Sequence, residues 1–182
     1  MPFTGKHRQS RPRAGPRLVL VVGPRNSGKT EYARIIVQRA RAAGLRVAGY
    51  LSEAEWDGTV KARFFLHDVS QTADGPGQEL RHRPLLASVT PAPGLDLRAG
   101  PYYLNSAAFH TACDTLRAAS HSDLICVDEV GPLELRGSGF YPALEYLLNR
   151  YKGILVLTAR PAIAARIHAG AGLPMYSRSL LA

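Results

Sequence analysis

Short apolar runs alternate along the chain with segments of helical periodicity. The run RLVLVVG (17–23) is rich in β-branched residues and stops at a glycine, as a buried parallel strand does. The next segment, KTEYARIIVQRARAAG, has apolar residues at helical spacing and also ends at glycine. Further strands are predicted at 45–52, 123–127 and 153–158, and further helices at 106–120, 139–153 and 161–172. This alternation predicts an α/β fold whose sheet is mostly parallel, with helices on both faces.

The middle of the chain has a different pattern. Alternating apolar and polar residues surround Asp57-Gly58, which predicts an antiparallel hairpin over 53–69. Residues 70–100 are rich in glycine, proline and polar residues, and we interpret most of them as an excursion from the main sheet. Short strands are predicted within PLLASV and PYYLN.

The segment GPRNSGKT fits the pattern G-x-x-x-x-G-K-[ST] and lies between a predicted strand and a predicted helix. The pattern is typical of a P-loop, whose glycines let the backbone wrap around phosphate while amides at a helix N-terminus point at its oxygens. We therefore expect a nucleoside triphosphate such as ATP or GTP to bind here. Lys29 would reach the β- and γ-phosphates, and the Thr30 hydroxyl would ligate Mg²⁺. The predicted nucleotide-binding set is Gly23, Pro24, Arg25, Asn26, Ser27, Gly28, Lys29 and Thr30.

In the run LICVDEVGPLEL an apolar strand ends in two adjacent carboxylates. Carboxylates at the tip of a buried strand are costly unless a positive group lies beside them. Because open α/β sheets bind ligands at the carboxyl ends of their strands, Mg²⁺ and Lys29 are the expected partners. Asp128 then supports Mg²⁺, which is the Walker B role. Glu129, turned toward the γ-phosphate by the Gly-Pro bend that follows, would act as the catalytic carboxylate that polarises the attacking water.

The strand GILVLT offers another polar group beside the γ-phosphate, on the assumption that the Walker B strand neighbours the P-loop strand. Thr158 and Arg160 are the two candidates, and an arginine that stabilises transition-state charge has a large effect on phosphoryl transfer. Arg160 also suits a surface position at the start of a helix. Glu53 and Glu55, after the second strand, lie at the right edge for the water shell of the metal. Further candidates are Arg25 for contact with phosphate and Tyr102 or Tyr103 for stacking on a base.

The composition, with 46% hydrophobic and 20% charged residues among 182, is that of a globular protein with one domain. Much of the net charge of +9 lies in the first 17 residues, which hold five of the 23 lysines and arginines and no acid. We interpret 1–16 as a basic flexible tail, where any contact with nucleic acid would be made, and 17–182 as a single domain. Cys113 and Cys126 have neither disulfide nor metal spacing. The absence of an apolar run near ~18 residues, or of an apolar leader, predicts a cytoplasmic protein without membrane contact.

Three stretches together, GPRNSGKT, GLRVAGYLSEAEWDG and VDEVGPLEL, resemble the small nucleoside-triphosphatase family of P-loop NTPases, of thermophile and cancer-related type. VDEVGPLEL is the most specific of them, because its match extends beyond the Asp-Glu pair. The resemblance covers residues from about 17 to 160. It implies a three-layer P-loop NTPase sandwich and Mg²⁺-dependent hydrolysis of NTPs with broad base preference.

Individual positions of the family pattern carry over with some departures. Gly28, Lys29 and Thr30 match the phosphate and metal positions, Asp128 the metal support and Glu129 the catalytic carboxylate, while Glu53 and Glu134 match positions without an assigned role. Asn26 stands where the family has an inner glycine, and Glu31 where a second threonine is common. The resemblance also implies a longer C-terminal segment than the LPMYSRSLLA that follows Gly172.

Two other functions remain open from the sequence. One is a nucleotide-binding accessory module, similar to those of molybdopterin-guanine dinucleotide synthesis, which would act through contact with a protein partner. The other is a small-molecule or nucleotide kinase, for which Arg81, Arg83 and Arg98 in the 70–100 segment would supply an arginine-rich lid. The Asp128-Glu129 pair argues against the kinase, and the stretch DEVGPLEL favours the NTPase over the accessory module, for which the short C-terminus and the basic tail leave room.

Overall fold

A computed structural model describes residues 15–70 and 83–171. The strands are β1 (Arg17–Val22), β2 (Val47–Asp57), β3 (Val60–Asp68), β4 (Leu85–Ser88), β5 (Leu97–Ala99), β6 (Tyr102–Leu104), β7 (Leu124–Val130) and β8 (Ile154–Ala159). The helices are α1 (Lys29–Ala42), α2 (Ser106–Ala118), α3 (Tyr141–Arg150) and α4 (Pro161–Ala171). None of the helices in this part of the chain has the length and apolarity needed to cross a bilayer. The predicted basic tail lies outside the described residues except for its last two positions.

The described strands form one sheet in the order β1-β8-β7-β2-β3-β4-β6-β5. β1, β8, β7 and β2 pair in parallel, and the remaining pairs are antiparallel. The parallel half has helices on both faces, which confirms the predicted α/β architecture. The carboxyl ends of its strands therefore meet at one edge, where ligands bind in such sheets.

Alternating side chains of the central strands pack against different helices. On one face Cys126 of β7 and Val156 of β8 belong to a core with Ala33 and Val37 of α1. On the other face Ile125, Val127 and neighbouring leucines of β8 belong to a larger core with α2, α3 and α4. Because both faces are covered, β7 and β8 read in the sequence as continuous apolar runs.

Helix boundaries agree closely with their sequence signals. Gly28, in the left-handed conformation at φ 80°, precedes the first residue of α1, and Gly44, at φ 79°, follows its end. Asn105 caps α2, since its side chain accepts a hydrogen bond of 3.0 Å from the N–H of Ala108. Pro142 lies in the first turn of α3, where its missing N–H costs nothing.

The sheet differs from the sequence-based expectation in three respects. β8 lies between β1 and β7, so the Walker B strand does not neighbour the P-loop strand. Most of residues 70–100 were expected to lie outside the main sheet, but the strands predicted within PLLASV and PYYLN, β4 and β6, and the unpredicted β5 extend this sheet from the free edge of β3. The strand predicted at 45–52 and the first strand of the predicted hairpin form one element, since β2 runs continuously from Val47 to Asp57.

Close approach of β2 to β7 depends on Gly49. Its φ is 124°, and a Cβ atom at this position would lie 1.9 Å from the carbonyl oxygen of Cys126. Glycine is required on both grounds. The resulting contact brings Ser52, in the middle of β2, beside the Asp128 carboxylate near the end of β7.

Candidate active site

The P-loop turn is stabilised by its own backbone. Asn26 and Gly28 both have left-handed backbones, with φ of 59° and 80°. Asparagine tolerates this conformation better than most residues, which explains why it can replace the inner glycine of the family pattern. The Ser27 hydroxyl and the Lys29 ammonium donate to the carbonyl of Pro24, at 2.9 and 2.8 Å. The turn therefore closes around the position where phosphate is expected.

Other P-loop residues take clear positions. A Cβ atom on Gly23 would lie 2.3 Å from the Ser27 hydroxyl oxygen, so the tight turn excludes larger residues. Thr30 is half-buried in the first turn of α1. Arg25, expected to contact phosphate, instead donates a hydrogen bond to the Tyr102 hydroxyl and lies over its ring at 5.9 Å. Its guanidinium links the P-loop to the antiparallel half of the sheet.

Lys29 lies in a field of mixed charges. Burial lowers the pKa of its ammonium, which Glu129 and Asp128 act to raise and which Arg160 and Lys61 act to lower further. These charges interact only because they lie near one another. The structure thus brings Lys29, Asp128, Glu129 and Arg160 together as predicted.

Asp128 is buried, at 2% exposed, and is fixed by two donors. The N–H of Ser52 donates to it at 3.1 Å, and the Thr158 hydroxyl donates to its other oxygen. The same Thr158 oxygen accepts a hydrogen bond of 2.8 Å from the N–H of Glu129. Thr158 therefore holds both carboxylate residues, and its place on the strand between β1 and β7 makes this contact available.

Glu129 departs from the alternation of β7. Its φ is 68°, which is uncommon for a residue other than glycine, and the pairing of β7 with β8 shifts register between Val127 and Val130. The left-handed residue turns the exposed Glu129 side chain into the same cavity as Lys29. The turn expected from the Gly131-Pro132 bend thus occurs two residues earlier, at Glu129 itself. Strained backbone of this kind is concentrated at functional sites.

Glu134 folds the loop that follows β7. Its buried carboxylate accepts hydrogen bonds from the N–H of Gly131 at 2.8 Å and of Phe140 at 2.9 Å. Burial raises the pKa of this carboxyl, against the effect of the two N–H groups. Gly139, at φ 64°, makes room for it, because a Cβ atom there would lie 2.2 Å from a carboxylate oxygen. Glu134 therefore acts on the site by shaping its wall.

Lys61 on β3 is a basic residue of the site that sequence reasoning missed. It lines the same cavity as Lys29, Glu129 and Arg160. Only the β2–β3 hairpin brings it there, and its place in an alternating strand pattern gives no sign of this. The guanidinium of Arg160 forms no hydrogen bond or ion pair with the described residues, and Arg160 is exposed and lines the cavity.

Several weaker candidates lie outside the cavity. Glu53 forms ion pairs with Arg34 of α1, at 2.7 Å, and with Arg83. Glu55 pairs with Arg63 on the neighbouring strand at 3.4 Å. These pairs account for both carboxylates and contradict the idea that they face the water shell of a metal.

Local contacts also account for Glu31, which departs from the family pattern, and for the arginines of the predicted lid. Glu31 is exposed and pairs with Arg34 at 3.3 Å, so its charge points along α1 rather than into the P-loop. Arg98 lies over the ring of Tyr103 at 5.2 Å, and neither Arg98 nor Tyr103 lines the cavity. With Arg83 engaged by Glu53, the predicted arginine lid is not formed by its described members; Arg81 lies outside the described residues.

Comparisons with known proteins agree with this geometry. The model of a family described as NTPase (NTPase_1) matches residues 18–177. A curated relative, the nucleoside-triphosphatase THEP1 of Caldivirga maquilingensis, is 25% identical over 154 residues, which cover 85% of this chain and 82% of the relative. The solution structure of a human cancer-related nucleoside triphosphatase matches with a TM-score of 0.59 and 26% identity, over 84% of each chain. Because the family match spans most of its length, the chain belongs to this NTPase family and is a nucleoside-triphosphatase built on a P-loop fold.

Proposed function

We propose that the chain is a Mg²⁺-dependent NTPase that hydrolyses several nucleoside triphosphates, ATP and GTP among them, to NDP and phosphate. The observation that supports this most is the left-handed Glu129, which places a free carboxylate in the same cavity as Lys29. In a regular strand the side chains of adjacent residues point to opposite faces, so Asp128 and Glu129 would not otherwise both face the site. The pair Asp128 and Glu129 is therefore divided into a buried, hydrogen-bonded carboxylate and an exposed one.

Each residue then has one task in hydrolysis. Amides of the P-loop and the Lys29 ammonium bind the β- and γ-phosphates. Glu129 orients a water and accepts its proton as the water oxygen bonds to the γ-phosphorus. The bond from that phosphorus to the bridging oxygen breaks, and NDP leaves with the negative charge. Arg160 stabilises the charge on the transferred group, and Lys61 adds to the positive field.

The residues present fit Mg²⁺. Thr30 and Asp128 offer oxygen ligands, and Mg²⁺ is usually held by one or two carboxylates together with water and substrate phosphates. Among the described residues no three His, Cys, Asp or Glu side chains form a metal cluster of their own. When bound, the ion neutralises charge on the phosphates. Ser52 and Thr158 hold the Asp128 carboxylate in place for it.

Phosphate release from ATP, GTP, CTP and UTP, with Mg²⁺ and with excess EDTA, tests this proposal. We expect wild type to hydrolyse several of them only with Mg²⁺, and Lys29→Ala to lose roughly 100-fold in rate. Lys152→Ala is the matched control, because Lys152 precedes β8 at the opposite edge of the sheet and is absent from the cavity lining. Full activity of Lys29→Ala, or equal loss in both variants, would overturn the assignment.

A further inference from the structure

The cavity that contains Lys29 and Glu129 continues into an apolar chamber. The cavity has a volume of about 470 Å³, within the range of small-molecule sites. Buried side chains from β4, β6, α2 and the start of α3 form the inner wall of the chamber: Leu86, Leu104, Phe109 and Phe140. Phe64 and Tyr102 form another wall, with their rings edge to face at 5.5 Å. A charged triphosphate does not pack favourably against such an apolar surface.

A nucleotide in the proposed pose does not fill the chamber. Asn26 and Lys29 line the cavity, whereas Ser27, Gly28 and Thr30, deeper in the P-loop, do not. The triphosphate therefore meets the cavity at its γ-phosphate end. Its base is separated from that end by the other phosphates and the ribose, and lies away from the chamber. The chamber walls also belong to β3, β4 and β6, on the far side of β7 and β2 from the P-loop strand.

Free charge along the chamber is positive. Arg136, which lines it, is exposed, and its guanidinium forms no hydrogen bond or ion pair within the described part of the chain. Lys61 lines it too and lies over the ring of Trp56 at 5.2 Å. The two carboxylates of the cavity add no free negative charge to the chamber. Glu134 has both oxygens occupied by backbone N–H groups, and Glu129 lies at the phosphate end. An anionic ligand is therefore favoured over a cationic one.

We propose that this chamber binds a small organic anion with an apolar ring body, at the same time as the NTP and beside its γ-phosphate. The ring packs against the Phe64–Tyr102 and Phe109–Phe140 pairs, which present both edges and faces. A carboxylate or sulfonate on the ring pairs with Arg136 at the solvent side. The inference rests on the proposed function, because it takes the orientation of the nucleotide from it.

The test is a calorimetric titration of naphthoate into the full chain, which is first saturated with a non-hydrolysable GTP analogue and Mg²⁺. We expect binding at one site, at least tenfold weaker in Ala99→Trp, which fills the chamber from β5, and roughly threefold weaker in Arg136→Gln. Naphthylmethanol, which lacks the charge, should bind wild type roughly threefold more weakly than naphthoate does. Leu45→Ala is the control for adsorption on exposed apolar surface, because Leu45 is exposed and absent from the cavity lining, and it should bind naphthoate like wild type.

Nucleotide affinity, measured in the same variants, separates the outcomes. If naphthoate and the GTP analogue compete, or Ala99→Trp weakens the analogue tenfold, the base occupies the chamber and the proposal is wrong. Failure of naphthoate to bind, or equal binding to wild type and Ala99→Trp, also overturns it. If wild type binds no GTP analogue, the proposed function itself fails. Should Ala99→Trp not fold, Arg136→Gln and the charged and uncharged probes still decide the question.

Discussion

Thr158 offers the sharpest test of how the site is held together. Thr158→Val keeps the shape of the side chain but removes a fully buried hydroxyl. Asp128 then loses a donor worth about 1.5–3 kcal/mol, and the N–H of Glu129 loses its acceptor at a cost of about 1–3 kcal/mol. Because both losses arise from one network, we expect the free energy of unfolding to fall by about 3 kcal/mol.

Activity should fall as well, since neither carboxylate is then fixed. Loss of a group that orients a metal-supporting side chain typically costs about 10–100-fold, and we expect a loss of this size in kcat. Phosphate release and urea denaturation measure the two effects. Thr158→Ser is the matched control, because it keeps the hydroxyl and loses only a methyl group, worth about 1 kcal/mol. If Thr158→Val hydrolyses NTP like Thr158→Ser, the hydroxyl does not position the carboxylates and this account of the site is wrong.

Other predictions concern the fold and the P-loop. Gly49→Ala should lower the free energy of unfolding by about 2–4 kcal/mol in urea denaturation, because its methyl group meets the Cys126 backbone at a strained φ; stability like wild type would contradict the close approach of β2 to β7. Burial raises the pKa of Tyr151 to about 12, so the native state keeps this proton above the ordinary pKa of 10.0, and stability should fall as pH rises between these values. Tyr151→Phe should lose that part of the pH dependence, and about 1 kcal/mol at neutral pH with its hydrogen bond to Ser122; an unchanged alkaline profile would refute the assignment. Asn26→Ala should destabilise the chain by about 1 kcal/mol and Asn26→Gly should not, as thermal unfolding would show; equal effects would mean that the left-handed turn is not the constraint.

The sequence predicted what short-range patterns determine. The P-loop lies within one strand–turn–helix unit, and β7 is a continuous apolar run, so both elements were predicted from the local sequence. Asn26 shows that even a departure from the family pattern has a local reason, since asparagine accepts the left-handed backbone that the loop requires.

Features that depend on distant contacts were missed. The strand order follows from which edges pair, and no local pattern reveals that β8 separates β1 from β7. The short strand β5 pairs with β6 in a segment rich in turn residues. Lys61 reaches the site only through the β2–β3 hairpin, and Glu53 is withdrawn from it by arginines far away in sequence.

Single-turnover hydrolysis by Glu129→Gln, with nucleotide affinity measured in parallel, tests the central claim most directly. Glutamine keeps the size of the side chain and the P-loop contacts but cannot accept a proton from water. We expect this variant to bind NTP and Mg²⁺ with an affinity close to that of wild type while the hydrolysis step slows by at least ~100-fold. Hydrolysis at the wild-type rate by Glu129→Gln would contradict the claim, because the carboxylate of Glu129, beside Lys29, would then not be the catalytic base.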